Sequence, residues 1–75
     1  MKYATLNEYH PNYDIPEGYL FRILPKRRME GDTKQLRCVV AKQQREGVDL
    51  FTYIFNPEEL TEIPDEVADI MMSVL

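Results

Sequence analysis

One histidine, one serine, one cysteine, three scattered glycines and no tryptophan limit the chemistry open to these 75 residues. Nucleophilic catalysis needs a nucleophile, a base within hydrogen-bond reach and usually a group that orients the base. Ser73 stands at the end of a helical pattern, and His10 precedes Pro11 among turn formers, where it reads as an ordinary surface histidine and not a general base. Cys38 lies in the run Leu36, Arg37, Cys38, Val39, Val40 and reads as a small buried hydrophobe without an internal disulfide partner. Structural zinc takes four nitrogen or sulfur ligands, more than a single copy holds. Asp65, Glu66 and Asp69 lack the spacing of a calcium loop. Gly18, Gly31 and Gly47 stand too far apart to form a phosphate cradle. The expectation is a protein that is not an enzyme, with no cofactor and no metal. The chain also lacks an apolar stretch of signal-peptide length, or one near the roughly 20 residues of a membrane helix. No membrane partner is expected, and the default address is cytoplasmic.

What is present describes one small folded domain, residues 1–75. Its 44% hydrophobic and 29% charged residues match ordinary globular composition. At this length folding buries only about 60% of the surface of the unfolded chain, so the core is thin. The net charge of −4 conceals an uneven layout. Residues 22–45 carry eight basic side chains (Arg22, Lys26, Arg27, Arg28, Lys34, Arg37, Lys42, Arg45) against Glu30 and Asp32, a net of +6. Residues 57–75 carry six acids and no base, a net of −6. Such segments make a dipolar molecule if they face apart and neutralise each other if they pack together.

Along the chain, residues 1–18 form a Tyr-rich segment dense in turn formers and read as irregular, with a short strand over 2–6 as an option. Residues 19–55 read as a β-meander. Tyr19 to Leu24 alternates like a strand and stops at Pro25, a residue suited to an edge or bulge. Glu30, Gly31 and Asp32 suggest a reversal into a second strand, 35–42, and Gln43 to Gly47 a reversal into a third, 48–55. Asn56, Pro57 and Glu59 mark a helix start. After Pro64, the recurrence of Ile63, Val67, Ile70, Met71 and Val74 places one apolar stripe on a helix over 64–74, within an acidic helical C-terminus, 57–75. The predicted fold is α+β: a small antiparallel meander of three or four strands with one C-terminal helix packed on one face.

The meander carries apolar residues on both faces, whereas a solvated sheet face is polar. A single helix covers one face, so the N-terminal segment, a second copy or a partner must cover the other. Tyrosines suit either a cover or an interface. Candidate partner-binding residues are therefore Tyr9, Tyr13, Tyr19, Phe51 and Tyr53 from the aromatic set, and Lys26, Arg27, Arg28 and Arg37 from the basic set.

Size, acidity and the dearth of catalytic groups resemble those of small phage or bacterial accessory proteins that bind a larger enzyme. That resemblance implies a non-enzymatic protein-binding module that inhibits or modulates a larger enzyme or macromolecular machine. One alternative is nucleic-acid binding by the basic hairpin 22–45, with Tyr19 and Phe21 stacking on bases. Another is a structural homodimer that seals the open face.

Overall fold

The computed structural model describes residues 1–26 and 34–74. Among these residues five strands form one antiparallel sheet: β1 (Lys2–Leu6), β2 (Leu20–Ile23), β3 (Leu36–Val40), β4 (Tyr53–Phe55) and β5 (Leu60–Ile63), in the order β4-β3-β2-β1-β5. Two helices, α1 (Ala41–Glu46) and α2 (Asp65–Val74), and a 3-10 turn, Pro57–Glu59, complete the fold. The fold class is thus α+β, with five strands in place of three or four. No helix among the described residues is long and apolar enough to cross a membrane.

The first four strands form a meander, and β5 joins the far edge beside β1. That connection dictates the shape of the sheet. From Phe55 to Leu60 a fully extended chain reaches at most about 18 Å, and the 3-10 turn shortens this further. The outer strands of a flat five-stranded sheet would stand about 19 Å apart. The sheet must therefore curl until the ends of β4 and β5 approach each other. Phe55 and Leu60 accordingly share one buried cluster with Ala4, Leu6, Phe21, Ile23, Cys38 and Val40. The registers Ala4 to Phe21, Phe21 to Val40 and Ile23 to Cys38 place these side chains on one, concave, face.

The convex face carries a second cluster, Tyr3 and Leu20 from the sheet, Ala41 from α1, and Ala68 and Met72 from α2, flanked by Ile63 and Met71. The terminal helix therefore lies on the side away from Phe55. Its contact face also differs from the predicted stripe. Ala68 and Met72 are buried, whereas Val67 (43% exposed), Ile70 (65%) and Val74 (79%) point outward. Ala68 and Met72 are four residues apart and share a helix face. The small Ala68 lets the helix approach the sheet closely, and the turn is set by that approach and not by the bulkiest side chains.

Local sequence accounts for the remaining differences. Ala41 to Glu46, read as the end of a strand and a reversal, is an uninterrupted run of good helix formers. It stops at Gly47, whose φ of 76° is the left-handed conformation of a helix C-cap. Residues 48–52 alternate like a strand, yet only Tyr53–Phe55 pairs. Strand β2 is the middle strand of the sheet and ends at Ile23, before Pro25 could interrupt a ladder. The option of a strand over 2–6 is realised as β1. The 3-10 turn forms where the helix start was expected, with the Asn56 amide donating to Glu59 Oε1 at 2.9 Å. The reversal assigned to Glu30, Gly31 and Asp32 lies outside the described residues.

Candidate functional site

The loop 7–19 between β1 and β2 is pinned at both ends and at its tip. Gly18 N–H donates to the Leu6 carbonyl (2.8 Å), Leu6 N–H to that of Tyr19 (3.0 Å) and Asn7 N–H to that of Glu59 (2.9 Å). His10 and Ile15 exchange backbone bonds of 2.9 and 3.2 Å around a tight turn, in which Asp14 adopts a positive φ of 55°. Aspartate tolerates that region better than most residues. The Thr61 hydroxyl donates to Asn7 Oδ1, which ties the loop to β5 as well. Residues read as irregular thus form an ordered cover whose Ile15 enters the concave cluster.

This cover brings the aromatic candidates together. Tyr13 meets Tyr53 edge-on (centroids 4.9 Å), Phe55 (5.7 Å) and Phe51 (6.4 Å), while Phe51 meets Tyr53 at 4.7 Å. Phe21 lies beneath, 5.6 Å from Tyr53 and 5.0 Å from Phe55, and Tyr19 extends the network at 5.6 Å from Phe21. These separations and tilts are those of favourable ring pairs. Phe21 and Phe55 are sealed inside, Tyr13 and Tyr53 are half-buried, Tyr19 is exposed, and Phe51 leaves 62% of its surface in water. The Tyr13 hydroxyl also accepts a bond from the Ile54 amide (3.3 Å), so the loop occupies a backbone donor of the edge strand β4. Capping an edge donor in this way discourages unspecific strand pairing.

The other candidates lie apart. Tyr9 is exposed and donates to Asp14 Oδ1 at 2.7 Å. That bond favours the neutral phenol and raises the Tyr9 pKa above the ordinary tyrosine value, helped by partial desolvation and the Asp14 charge. Arg37 is on the convex face, paired across the ladder with Ile54, and its Nη2 donates to the Pro25 carbonyl at 2.8 Å. Lys26 is exposed at the end of the β2 segment. Arg27 and Arg28 lie outside the described residues. Where the basic and acidic segments touch, they neutralise each other: Arg45 Nη2 meets Asp69 Oδ1 at 2.6 Å between α1 and α2.

His10 differs from the expected surface histidine. Its side chain is only 14% exposed, stacks on Tyr13 (4.8 Å), meets the edge of Phe55 (5.4 Å), and places Nε2 3.0 Å from Glu59 Oε2. Glu59 thereby joins the loop to the 3-10 turn, since its Oε1 already holds the Asn56 amide. The helix-start pattern located Glu59, but nothing local linked it to a histidine so far upstream. Cys38 is fully buried, and burial pushes its thiol up to about 12, the behaviour of a structural and not a reactive cysteine. The Ser73 hydroxyl donates to the Asp69 carbonyl at 2.9 Å, back along its own helix.

The arrangement offers a rigid, partly wetted aromatic surface with phenolic groups at its margin, suited to dispersion and hydrogen bonding. No protein-family model, no curated protein and no solved structure matches the chain.

Proposed function

We propose that the chain is a non-enzymatic protein-binding module that docks through Phe51, Tyr53 and Tyr13, with Tyr19 at the margin, and thereby inhibits or modulates a larger enzyme or macromolecular machine. The observation that carries this reading is Phe51: a large ring, mostly in water, held in place by edge contacts to Tyr53 and Tyr13. An exposed but immobilised aromatic loses little entropy on binding and buries much apolar area, as interface anchors do. The test is capture from a native lysate by the immobilised chain and by Phe51→Ala, with mass spectrometry of both. The expected result is a protein retained by the parent and lost from the variant, whose activity changes when the free chain is added. Identical retained sets from two folded baits would reject the docking surface.

A homodimer draws support from a different surface, the outward ridge Val67, Ile70 and Val74 on α2. Sedimentation at twice 8.9 kDa would favour it, and the monomer mass over a wide concentration range would reject it. The nucleic-acid reading has weaker support. Phe21 is sealed inside and cannot stack on a base, and Arg37 lies on the face opposite the aromatic network.

A further inference from the structure

The two segments that build the aromatic surface, residues 7–19 and 46–56, share one charge signature. Together they carry Glu8, Asp14, Glu17, Glu46 and Asp49, and no lysine or arginine. The other eight acids of the chain are outnumbered by its nine Lys and Arg, so the negative excess of the protein belongs to these two segments. All five carboxylates are exposed, and none has an ionic partner among the described residues. The nearest bases on α1, Lys42 and Arg45, both have partners already, Arg45 at Asp69. Asp14 follows Tyr13 directly, and Asp49 stands two residues before Phe51, within about 7 Å from Cα to Cα. The acids therefore border the rings.

Phe51 adds an independent observation. Its ring is mostly in water yet fixed by Tyr53 and Tyr13, and Val48 and Leu50 beside it in the chain are exposed as well. An exposed ring attracts a guanidinium that lies over its face, and a carboxylate at the margin matches the guanidinium fork. Three occupants compete for such a surface. A second copy would set these carboxylates against their own images, and a nucleic acid would bring phosphates to them, both of which are unfavourable. A cationic protein segment meets the rings and the acids together.

We infer that the surface of Phe51, Tyr53 and Tyr13 recognises an arginine-bearing basic segment of its partner, with a guanidinium over Phe51 and bonded to Asp49, Asp14 adding charge on the Tyr13 side, and the partner's apolar residues on Val48 and Leu50. This inference rests on the docking surface proposed above and adds the chemistry of what docks there.

The test is an amide NMR titration of the full chain with a nonapeptide of three arginine-leucine-glycine repeats. Its controls are the same peptide with citrulline, the uncharged isostere, in place of arginine, a short single-stranded DNA, and dilution of the protein alone. The arginine peptide is expected to shift Tyr13, Asp14, Asp49, Phe51 and Tyr53 saturably, with Kd of about 1 mM or tighter at about 25 mM salt. At about 250 mM salt it should bind about fivefold more weakly. The citrulline peptide is expected to bind at least about tenfold more weakly than the arginine peptide, and DNA and dilution to leave these amides unmoved. Asp49→Asn and, separately, Asp14→Asn should each weaken binding about threefold with melting temperature unchanged, and Phe51→Ala should abolish it. Should Asp14→Asn disturb the turn, the exposed Asp49→Asn carries the test. Absence of saturable shifts, equal binding of the citrulline peptide, undiminished binding by Asp49→Asn, or shifts produced by DNA or by dilution would overturn the assignment. The docking surface is scored separately by the Phe51→Ala capture: a protein lost from that variant yet held by the parent equally well at about 500 mM salt would overturn the basic partner and leave the surface standing.

Discussion

The concave face of the sheet is shielded by rings packed mainly edge to face and the loop 7–19, the convex face by α2 and the first residue of α1. On the concave side the curl of the sheet contributes alongside the loop, because Phe55 and Leu60, from its two outer strands, belong to one buried cluster and Phe21 has no exposed surface at all. On the convex side a ten-residue helix rests on Ala68 and Met72, with Met71 half-buried beside them, and turns Val67, Ile70 and Val74 outward. A sheet that folds over its own apolar surface needs little extra chain to bury it. The surplus apolar surface consequently appears at the margin of the concave face, at Phe51, and on the back of α2.

The largest expected difference between the faces comes from their centres. Phe21→Ala should lower unfolding free energy by about 3–5 kcal/mol, a large part of what a domain of this size possesses, as read by urea denaturation. Met72→Ala should stay near the lower end of the range for its class, about 2–3 kcal/mol, because one side of its helix already faces water. A reversal of that order would mean that α2, and not the closed concave cluster, holds the sheet. Tyr13→Ala should cost about 2 kcal/mol through lost ring contacts. Tyr13→Phe, which removes only the hydroxyl that receives the Ile54 amide, should cost about 0.5–1 kcal/mol.

Cys38 reports the integrity of the concave face through pH. Its folded thiol titrates near 12 against an ordinary value of 9.0, so the folded state holds its proton while the unfolded state releases it. The stabilising difference is therefore complete below pH 9 and is lost progressively as pH rises from 9 towards 12. Denaturation midpoints measured from pH 7 to pH 10.5 should fall with increasing pH, and Cys38→Ala should flatten that part of the slope. In the folded protein at pH 8, thiol reagents should react only at the rate of opening.

The smallest effects belong to the outward residues. Phe51→Ala and Ile70→Ser should each change stability by less than about 0.5 kcal/mol. The two variants separate the surfaces in function: Phe51→Ala should abolish partner capture, and Ile70→Ser should leave capture intact.

Much of this architecture was legible in the sequence. The alternation at Tyr19 to Leu24, the burial of Cys38, the turn at Asn56 and Pro57 and the helix after Pro64 all follow from local rules, and all form. The aromatic candidates Tyr13, Tyr19, Phe51 and Tyr53 do converge, although Tyr13 and Tyr53 stand forty positions apart in the chain. Other features depend on tertiary context. Leu60 to Ile63 becomes a strand because β1 offers it an edge, and its four residues carry too short a pattern to announce that. The run from Ala41 to Glu46 follows directly on β3, and its helix propensity prevails over the reversal expected at Gln43 to Gly47. The face away from α2 takes its cover from the N-terminal segment, one of the three options the sequence left open, while the curl imposed by the four-residue connection between Phe55 and Leu60 has no local signature. The contact of His10 with Glu59 is a product of closure, invisible to any local pattern.

The most direct test of this account is whether the loop stands folded over the sheet in the free protein, since the docking surface exists only if Tyr13 holds Phe51 and Tyr53 before any partner arrives. Proton NMR of the isolated chain should show Tyr13 ring protons in nuclear Overhauser contact with Tyr53, Phe55 and Phe51, with slowed exchange at the Ile54 amide. A Tyr13 ring with random-coil shifts and no contacts to those residues, in a chain whose sheet is otherwise formed, would contradict it.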